Sequence, residues 1–153
     1  MTTDHATSAR PVLTTPGRAW VEGRLERTQE RLDHIADELV NERTEQLIVE
    51  RRQLLDQVEE LTQLLRIAIA PGAVADDPSI VELGDEVTVE FADGERETFL
   101  IVHPVEAGMD ENRTASDAPL AQAVLGRRPG DSITVSSPAG GYELTIVSRE
   151  RIG

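Results

Sequence analysis

No proline interrupts the chain between Pro16 and Pro71, and past Gly17, which adjoins the first of them, Gly23 is the one glycine in that span. The residues between are mostly Leu, Glu, Gln, Arg, Asp and Ala, which are good or acceptable helix formers. In a chain of 153 residues such a stretch has two outcomes, one long rod or two arms folded back on each other. Apolar residues at Val21, Leu25, Leu32, Ile35 and Leu39, with Thr28 in step, follow the alternating spacing of a coiled-coil seam. Leu47, Leu54, Val58, Leu61 and Leu65, with Arg51 in step, repeat it. In an antiparallel pair, contacting positions have a constant index sum. Val21 with Leu65, Leu25 with Leu61, Thr28 with Val58, Leu32 with Leu54, Ile35 with Arg51 and Leu39 with Leu47 all sum to 86, so the midpoint is position 43. Asn41 and Thr44 are both credible N-caps for a second helix. The pattern predicts a helical hairpin turning at Asn41–Thr44, with arms of roughly 35 Å at 1.5 Å per residue. The alternative is one continuous helix in a parallel dimer. Arg51 is a flaw in either seam, and its stem must snorkel past its partner.

The rest of the chain reads differently. Residues 1–16, rich in Thr, Ala and Pro without period, predict a disordered tail. Residues 17–68 are the hairpin. Residues 69–82 read as a linker, because Pro71-Gly72 stops the helix and Asp76-Asp77-Pro78 is turn chemistry. Residues 83–153 read as a small β-rich domain. Asp85–Phe91 alternates polar and apolar residues, Asp93-Gly94 signals a tight turn, and Thr98–Val102 is the return strand. Met109–Ser116 is polar and reads as a loop. Pro119–Leu125 reads as a short helix with Asp117 as cap and Gly126 as stop. Ser132–Val135 and Tyr142–Val147 form a second hairpin around Pro138–Gly141. The expected fold class is α+β, a helical hairpin followed by an antiparallel sheet wrapped on one short helix.

Composition narrows function. A net charge of −14 argues against direct nucleic-acid binding, which needs Lys and Arg to neutralise phosphates, and favours a basic partner. All 15 basic residues are arginine, which fits a GC-rich genome. The absence of cysteine excludes disulfides, thiolate metal sites and cysteine nucleophiles. Neither a signal-peptide-like run nor a membrane-length apolar segment is present. The expectation is a cytoplasmic protein that needs no membrane.

The C-terminal half resembles a known family. Pro119-Leu120-Ala121-Gln122-Ala123-Val124-Leu125-Gly126 is followed by Pro129-Gly130-Asp131-Ser132-Ile133-Thr134-Val135. Pro138-Ala139-Gly140-Gly141 and Leu144-Thr145-Ile146-Val147 come next. In this order the segments look like those of the bacterial Gre transcription elongation factors, where a proline-leucine helix precedes a Gly-Asp strand and a PGG turn. Leu83-Gly84-Asp85-Glu86-Val87-Thr88-Val89 resembles the family's opening strand. The resemblance implies an FKBP-like C-terminal domain without isomerase activity. It also implies an N-terminal antiparallel coiled coil that enters the secondary channel of RNA polymerase. Two departures stand out. The family's acidic "GD.SENAEY" tip stretch, whose Asp and Glu help hold a catalytic Mg2+ in polymerase, is missing here. Ala118 stands where the family usually has Ser.

Two residue sets follow. The hairpin tip comprises Asp37, Glu38, Asn41, Glu42, Arg43 and Glu45. Its bland reading is a solvated acidic helix end. The sharper one is that Glu42 and Glu45, three apart on one helical face, share a Mg2+ with polymerase. No metal is expected on the free protein. By resemblance, Asp117, Pro119, Leu120, Gln122, Arg127 and Arg128 dock on polymerase at the channel rim, while Leu120 and its apolar neighbours also pack on the sheet. His34 reads as a surface residue. His103, Ser116 and Asp117 can be assembled on paper into a triad, but their spacing is not that of a nucleophile elbow. The chain is expected to be a monomer, without its own enzymatic activity or cofactor, that modulates or inhibits transcription through RNA polymerase. Two rivals stay open. One is a transcript-cleavage factor with rearranged tip acids. The other is a coiled-coil interaction module unrelated to polymerase.

Overall fold

A computed structural model describes residues 10–71 and 79–151. The chain divides into two compact units. The first is Arg18–Ala68. The second gathers the described parts of Met1–Gly17 and Ile69–Gly153.

In the first unit, helix α1 (Thr15–Asn41) and helix α2 (Glu45–Ile67) run as antiparallel arms. Glu42-Arg43-Thr44 joins them, so the long stretch is a hairpin and not a rod. The predicted seam is turned inward. Val21, Thr28, Ile35 and Leu61 are buried, and Leu25, Leu32, Leu39, Leu47, Leu54, Val58 and Leu65 are half-buried. The turn itself is set by Thr44, whose extended backbone and side-chain oxygen cap α2 by accepting the Leu47 N–H at 3.2 Å. Glu45 follows in the first turn, where a negative charge complements the helix dipole. Asn41, the other cap candidate, is the last residue of α1. At the open end, the Arg18 guanidinium donates to the Leu65 and Ala68 carbonyls at 3.1 and 3.0 Å, covering orphan acceptors at the end of α2.

Arg51 departs from the expected pairing. It is exposed, outside the seam, while Ile48 and Gln57 are half-buried. A straight helix drifts from a strict seven-residue repeat, so the inward line passes beside position 51. The link between the arms near this level is instead Arg31 with Glu50. Arg31 Nε and Nη2 each donate to a Glu50 oxygen at 2.9 Å.

The second unit is built on a five-stranded sheet in the order β3-β2-β1-β5-β4. The strands are β1 (Asp85–Phe91), β2 (Arg96–Val102), β3 (Arg113–Ala115), β4 (Ser132–Val135) and β5 (Tyr142–Arg151). Helix α3 (Pro119–Val124) crosses between β3 and β4 in sequence. The alternation in β1 puts Val87 and Val89 in the core with Phe99, Ile101, Leu144 and Ile146, and Ala121 and Val124 of α3 close it. The β1–β2 turn uses Gly94 at φ +91°, with its N–H donating to Phe91 O at 2.9 Å. A bulge between Thr88 and Val89 interrupts the β1–β5 ladder.

Three expectations for this unit change. The sheet is mixed and not purely antiparallel, because β3 pairs parallel to β2. That strand lies in the stretch read as a loop, being three residues long and without an apolar period. Asp117 does not cap α3. The cap position is Ala118, which has no capping side-chain oxygen, and Pro119 at the first turn removes one N–H that would otherwise need a partner. Part of the expected tail is structured. Val12 bridges Ile69, with Leu13 N–H donating to Ile69 O at 3.0 Å and Ile69 N–H to Pro11 O at 2.9 Å. Leu13 and Thr14 are buried. Residues 1–9 of the tail, and 72–78 of the linker, lie outside the described residues. Val81 at the end of that linker is a core residue. Among the described residues, no helix is long and apolar enough to cross a membrane.

Candidate functional site

The hairpin tip is a small polar turn on a long lever. Asp37, Glu38, Asn41, Glu42, Arg43 and Glu45 are all exposed there. The Glu42 N–H still donates to Glu38 O at 2.9 Å, so the last turn of α1 stays wound up to the connection. Glu38 lies 3.3 Å from Arg31, which also holds Glu50. Those hydrogen bonds raise Arg31 above its ordinary pKa and lower Glu50 below its own. Val40 is 83% exposed beside these acids, the most exposed large apolar side chain described. Glu42 lies in the connection and Glu45 opens α2, so the two acids do not share one helical face as their spacing had suggested. Among the described residues, no three acids or histidines converge as a metal site.

The second predicted set lies along one segment of the sheet unit. Asp117, Pro119 and Gln122 are exposed at the start of α3, and Leu120 is half-buried against the core. Gln122 Nε2 donates to the Ser116 carbonyl at 2.6 Å, which ties α3 to the loop before it. Arg127 and Arg128 follow Gly126, whose φ of +82° reverses the chain. The Arg127 carbonyl accepts from Val81 N–H at 2.8 Å. Arg128 donates to Ser79 Oγ at 2.7 Å. Both arginine side chains remain largely in solvent.

His103 does not form a catalytic triad. Its Nδ1 accepts the Val105 N–H at 3.0 Å, starting the 3₁₀ turn Pro104–Glu106. Burial lowers its pKa, against the opposing pull of Glu106 and Asp117.

Two groupings were not visible beforehand. Glu106 is wholly buried and accepts from Thr14 N–H at 2.8 Å and Thr14 Oγ1 at 2.6 Å. Thr14 Oγ1 in turn accepts the Gly17 N–H at 3.0 Å, capping the start of α1. A Cβ at Gly17 would stand 2.0 Å from the Glu106 carboxyl carbon, so any larger residue would push that carboxylate from its place. The second grouping surrounds Phe91 and Tyr142, whose ring centroids are 5.9 Å apart at a 53° tilt. Aromatics are only 3% of the chain, and two meeting at adjacent strand ends was the signal that could have marked the spot.

The family pattern described as "Transcription elongation factor, GreA/GreB, C-term" matches residues 76–151. The chain belongs to the Gre family. It is 38% identical over 105 residues to the transcription elongation factor GreA of Geobacillus kaustophilus, an alignment covering 68% of this chain and 63% of that protein. With GreA of Oceanobacillus iheyensis it shares 37% over 107 residues, covering 69% and 65% respectively. The alignments therefore span less than two thirds of the length of these relatives. A solved structure of the GreA factor homolog 1 protein (Gfh1) of Thermus thermophilus is 25% identical, covers 92% of this chain and 99% of that one, and has a TM-score of 0.42.

Proposed function

We propose that this member of the Gre family is a transcription elongation regulator that binds RNA polymerase. In this reading the sheet unit anchors at the rim of the secondary channel through Asp117, Pro119, Leu120, Gln122, Arg127 and Arg128. The α1–α2 hairpin enters the channel. The protein acts as a cytoplasmic monomer, and any Mg2+ it meets belongs to the polymerase. It modulates or inhibits transcription and does not stimulate RNA cleavage.

The observation that carries the last step is the tip itself. It is Asn41-Glu42-Arg43-Thr44, a short capped turn in place of the family's acidic stretch. Arg43 stands between Glu42 and Glu45, and a cation there opposes Mg2+ capture. A hairpin that fills a channel without completing a metal site slows nucleotide entry and excludes other channel-binding factors. The experiment is a backtracked elongation complex with purified bacterial RNA polymerase. The expected result is no added cleavage, slower elongation, and competition with a cleavage-stimulating Gre factor. Robust Mg2+-dependent cleavage, abolished by Glu42→Ala or Glu45→Ala, would overturn this in favour of a cleavage factor with rearranged tip acids. Absence of any polymerase binding would remove the reading altogether.

A further inference from the structure

Residues 79–82 are laced to the loop that follows α3. The Val81 N–H donates to Arg127 O at 2.8 Å, and the Gly126 N–H donates back to Val81 O at 2.9 Å. Arg149 Nε adds a third tie, donating to Ile80 O at 2.8 Å. Arg128 is fixed in turn by Asp131. The Asp131 N–H donates to Arg128 O, and the Arg128 N–H donates to Asp131 Oδ2, both at 3.0 Å. These ties hold the Arg128 guanidinium on Ser79, with Nη1 donating to Ser79 Oγ at 2.7 Å. Ser79 is half-buried and lies outside every helix and strand.

Charge sets this contact apart. The chain carries 29 acids against 15 arginines, yet among the described residues no carboxylate pairs with the side chain of Arg127 or Arg128. The arginines of β5 are matched, since Arg149 and Arg151 both reach Asp85, at 3.2 and 2.7 Å. Two consecutive exposed guanidiniums thus lack a countercharge, and one of them is bonded to a serine hydroxyl. A neutral hydroxyl engages one donor of a group whose fork fits an anion. A phosphoryl ester on the same oxygen supplies that anion, with about two negative charges and three acceptor oxygens where the fork already points. A turn outside regular structure is also where a modifying enzyme finds its substrate segment. We propose that Ser79 is a phosphorylation site whose phosphoryl group is held by Arg128, with Arg127 adding to the positive field. In the transfer, Ser79 Oγ bonds to the terminal phosphorus of a nucleoside triphosphate carried by a protein kinase. The bond from that phosphorus to its bridging oxygen breaks, the nucleoside diphosphate leaves, and the hydroxyl proton passes to the kinase's base. The dianion turns a neutral hydrogen bond into an ion pair. This inference does not rest on the polymerase reading, and its test uses no polymerase.

Two measurements test it. In the first, the full chain is isolated from the cells that natively produce it, digested and mapped by mass spectrometry. The expected result is phosphate on the peptide that holds Ser79, and none there in the Ser79→Ala variant. In the second, phosphoserine is genetically encoded at position 79 of the full chain, and its second ionisation is followed by phosphorus NMR. The phosphate should titrate about half a pH unit lower in the parent than in Arg128→Gln, and rising salt should narrow the difference. Arg127→Gln should move it in the same direction by less. Arg128 is exposed, so its substitution leaves the fold intact, and unchanged amide shifts along β1 and β2 verify that. The proposal is overturned if the native chain carries no phosphate at Ser79, or if the phosphoserine titrates identically in the parent and in Arg128→Gln.

Discussion

In the sheet unit Val87, Val89, Ile101 and Ile146 are withdrawn completely from water, while in the hairpin only Val21 and Ile35 reach that state among the described residues. The reason is geometric. A sheet strand here has neighbours on both sides and α3 over one face, so an inward side chain is enclosed. A helix in a two-helix hairpin has one partner, so the flanks of its apolar stripe stay wet. Stability is thus concentrated in one unit, and the other is held by a narrow seam, end caps and inter-arm links. A hairpin of that kind tolerates a changed tip sequence without loss of fold.

That difference can be broken by experiment. Ile146→Ala should cost about 4 kcal/mol in urea unfolding, from lost transfer energy and a cavity that the sheet cannot collapse. Against a total of about 5–15 kcal/mol for a typical domain, this removes a large share of the stability. Leu54→Ala in the half-buried seam should cost about 1–2 kcal/mol, because solvent fills the gap. Equal costs would mean that the hairpin seam is as enclosed as the sheet core.

An effect between those two is expected at Glu106, the buried carboxylate that accepts from the N–H and hydroxyl of Thr14. Glu106→Ala leaves the Thr14 N–H and hydroxyl without their partner, and leaves Arg113, 3.6 Å away, without that countercharge. The expected loss is about 3 kcal/mol, measured by urea unfolding. Amide exchange at Thr14 and Gly17 should rise with it, since their N–H groups belong to the same cap. Unchanged exchange at those two amides would show that the cap does not depend on Glu106.

This contact also marks the boundary of what was legible in the sequence. The hairpin was legible because its signal is periodic, and an index sum of 86 needs no knowledge of distant residues. Strands β1, β2, β4 and β5 were legible from alternation and from turn residues such as Asp93-Gly94. The order of the sheet was less so. Arg113–Ala115 carries no period, and it becomes a strand only because β2 offers it an edge. Leu13 and Thr14 sit in a stretch rich in Thr and Pro, and they are ordered by Ile69 and Glu106, partners far away in sequence. The Phe91–Tyr142 ring pair was hidden for the same reason: its members come from β1 and β5, strands far apart in sequence. Tip residues Glu42 and Arg43 were placed correctly at a turn, since a turn is itself a local event.

At the tip, Thr44→Ala removes the side-chain acceptor of the Leu47 N–H. The expected cost is about 1 kcal/mol, read as faster amide exchange in the first turn of α2 with the sheet unit unaffected. Thr44→Ser should restore protection. Should the sheet unit's exchange rise as well, the two units would unfold together, and the contrast between them would be one of packing alone and not of independent stability.

The smallest effect is expected where the geometry looks strongest. Arg31 and Glu50 make a two-pronged ion pair with both bonds at 2.9 Å, yet both groups are solvated. Asp85 makes a comparable pair of contacts, with Arg151 at 2.7 Å and Arg149 at 3.2 Å, but its carboxylate is wholly buried. Water and salt screen the first cluster and hardly reach the second, since screening acts within about 10 Å at 0.1 M salt on charges that ions can approach. A double-mutant cycle of Arg31→Gln and Glu50→Gln should give a weak coupling at low salt that fades as salt rises. The corresponding cycle of Asp85→Asn and Arg151→Gln should keep its coupling. If the hairpin pair held its coupling in high salt, the arms would be locked together at mid-length by this contact. The hairpin would then be a stiffer lever than its thin seam implies.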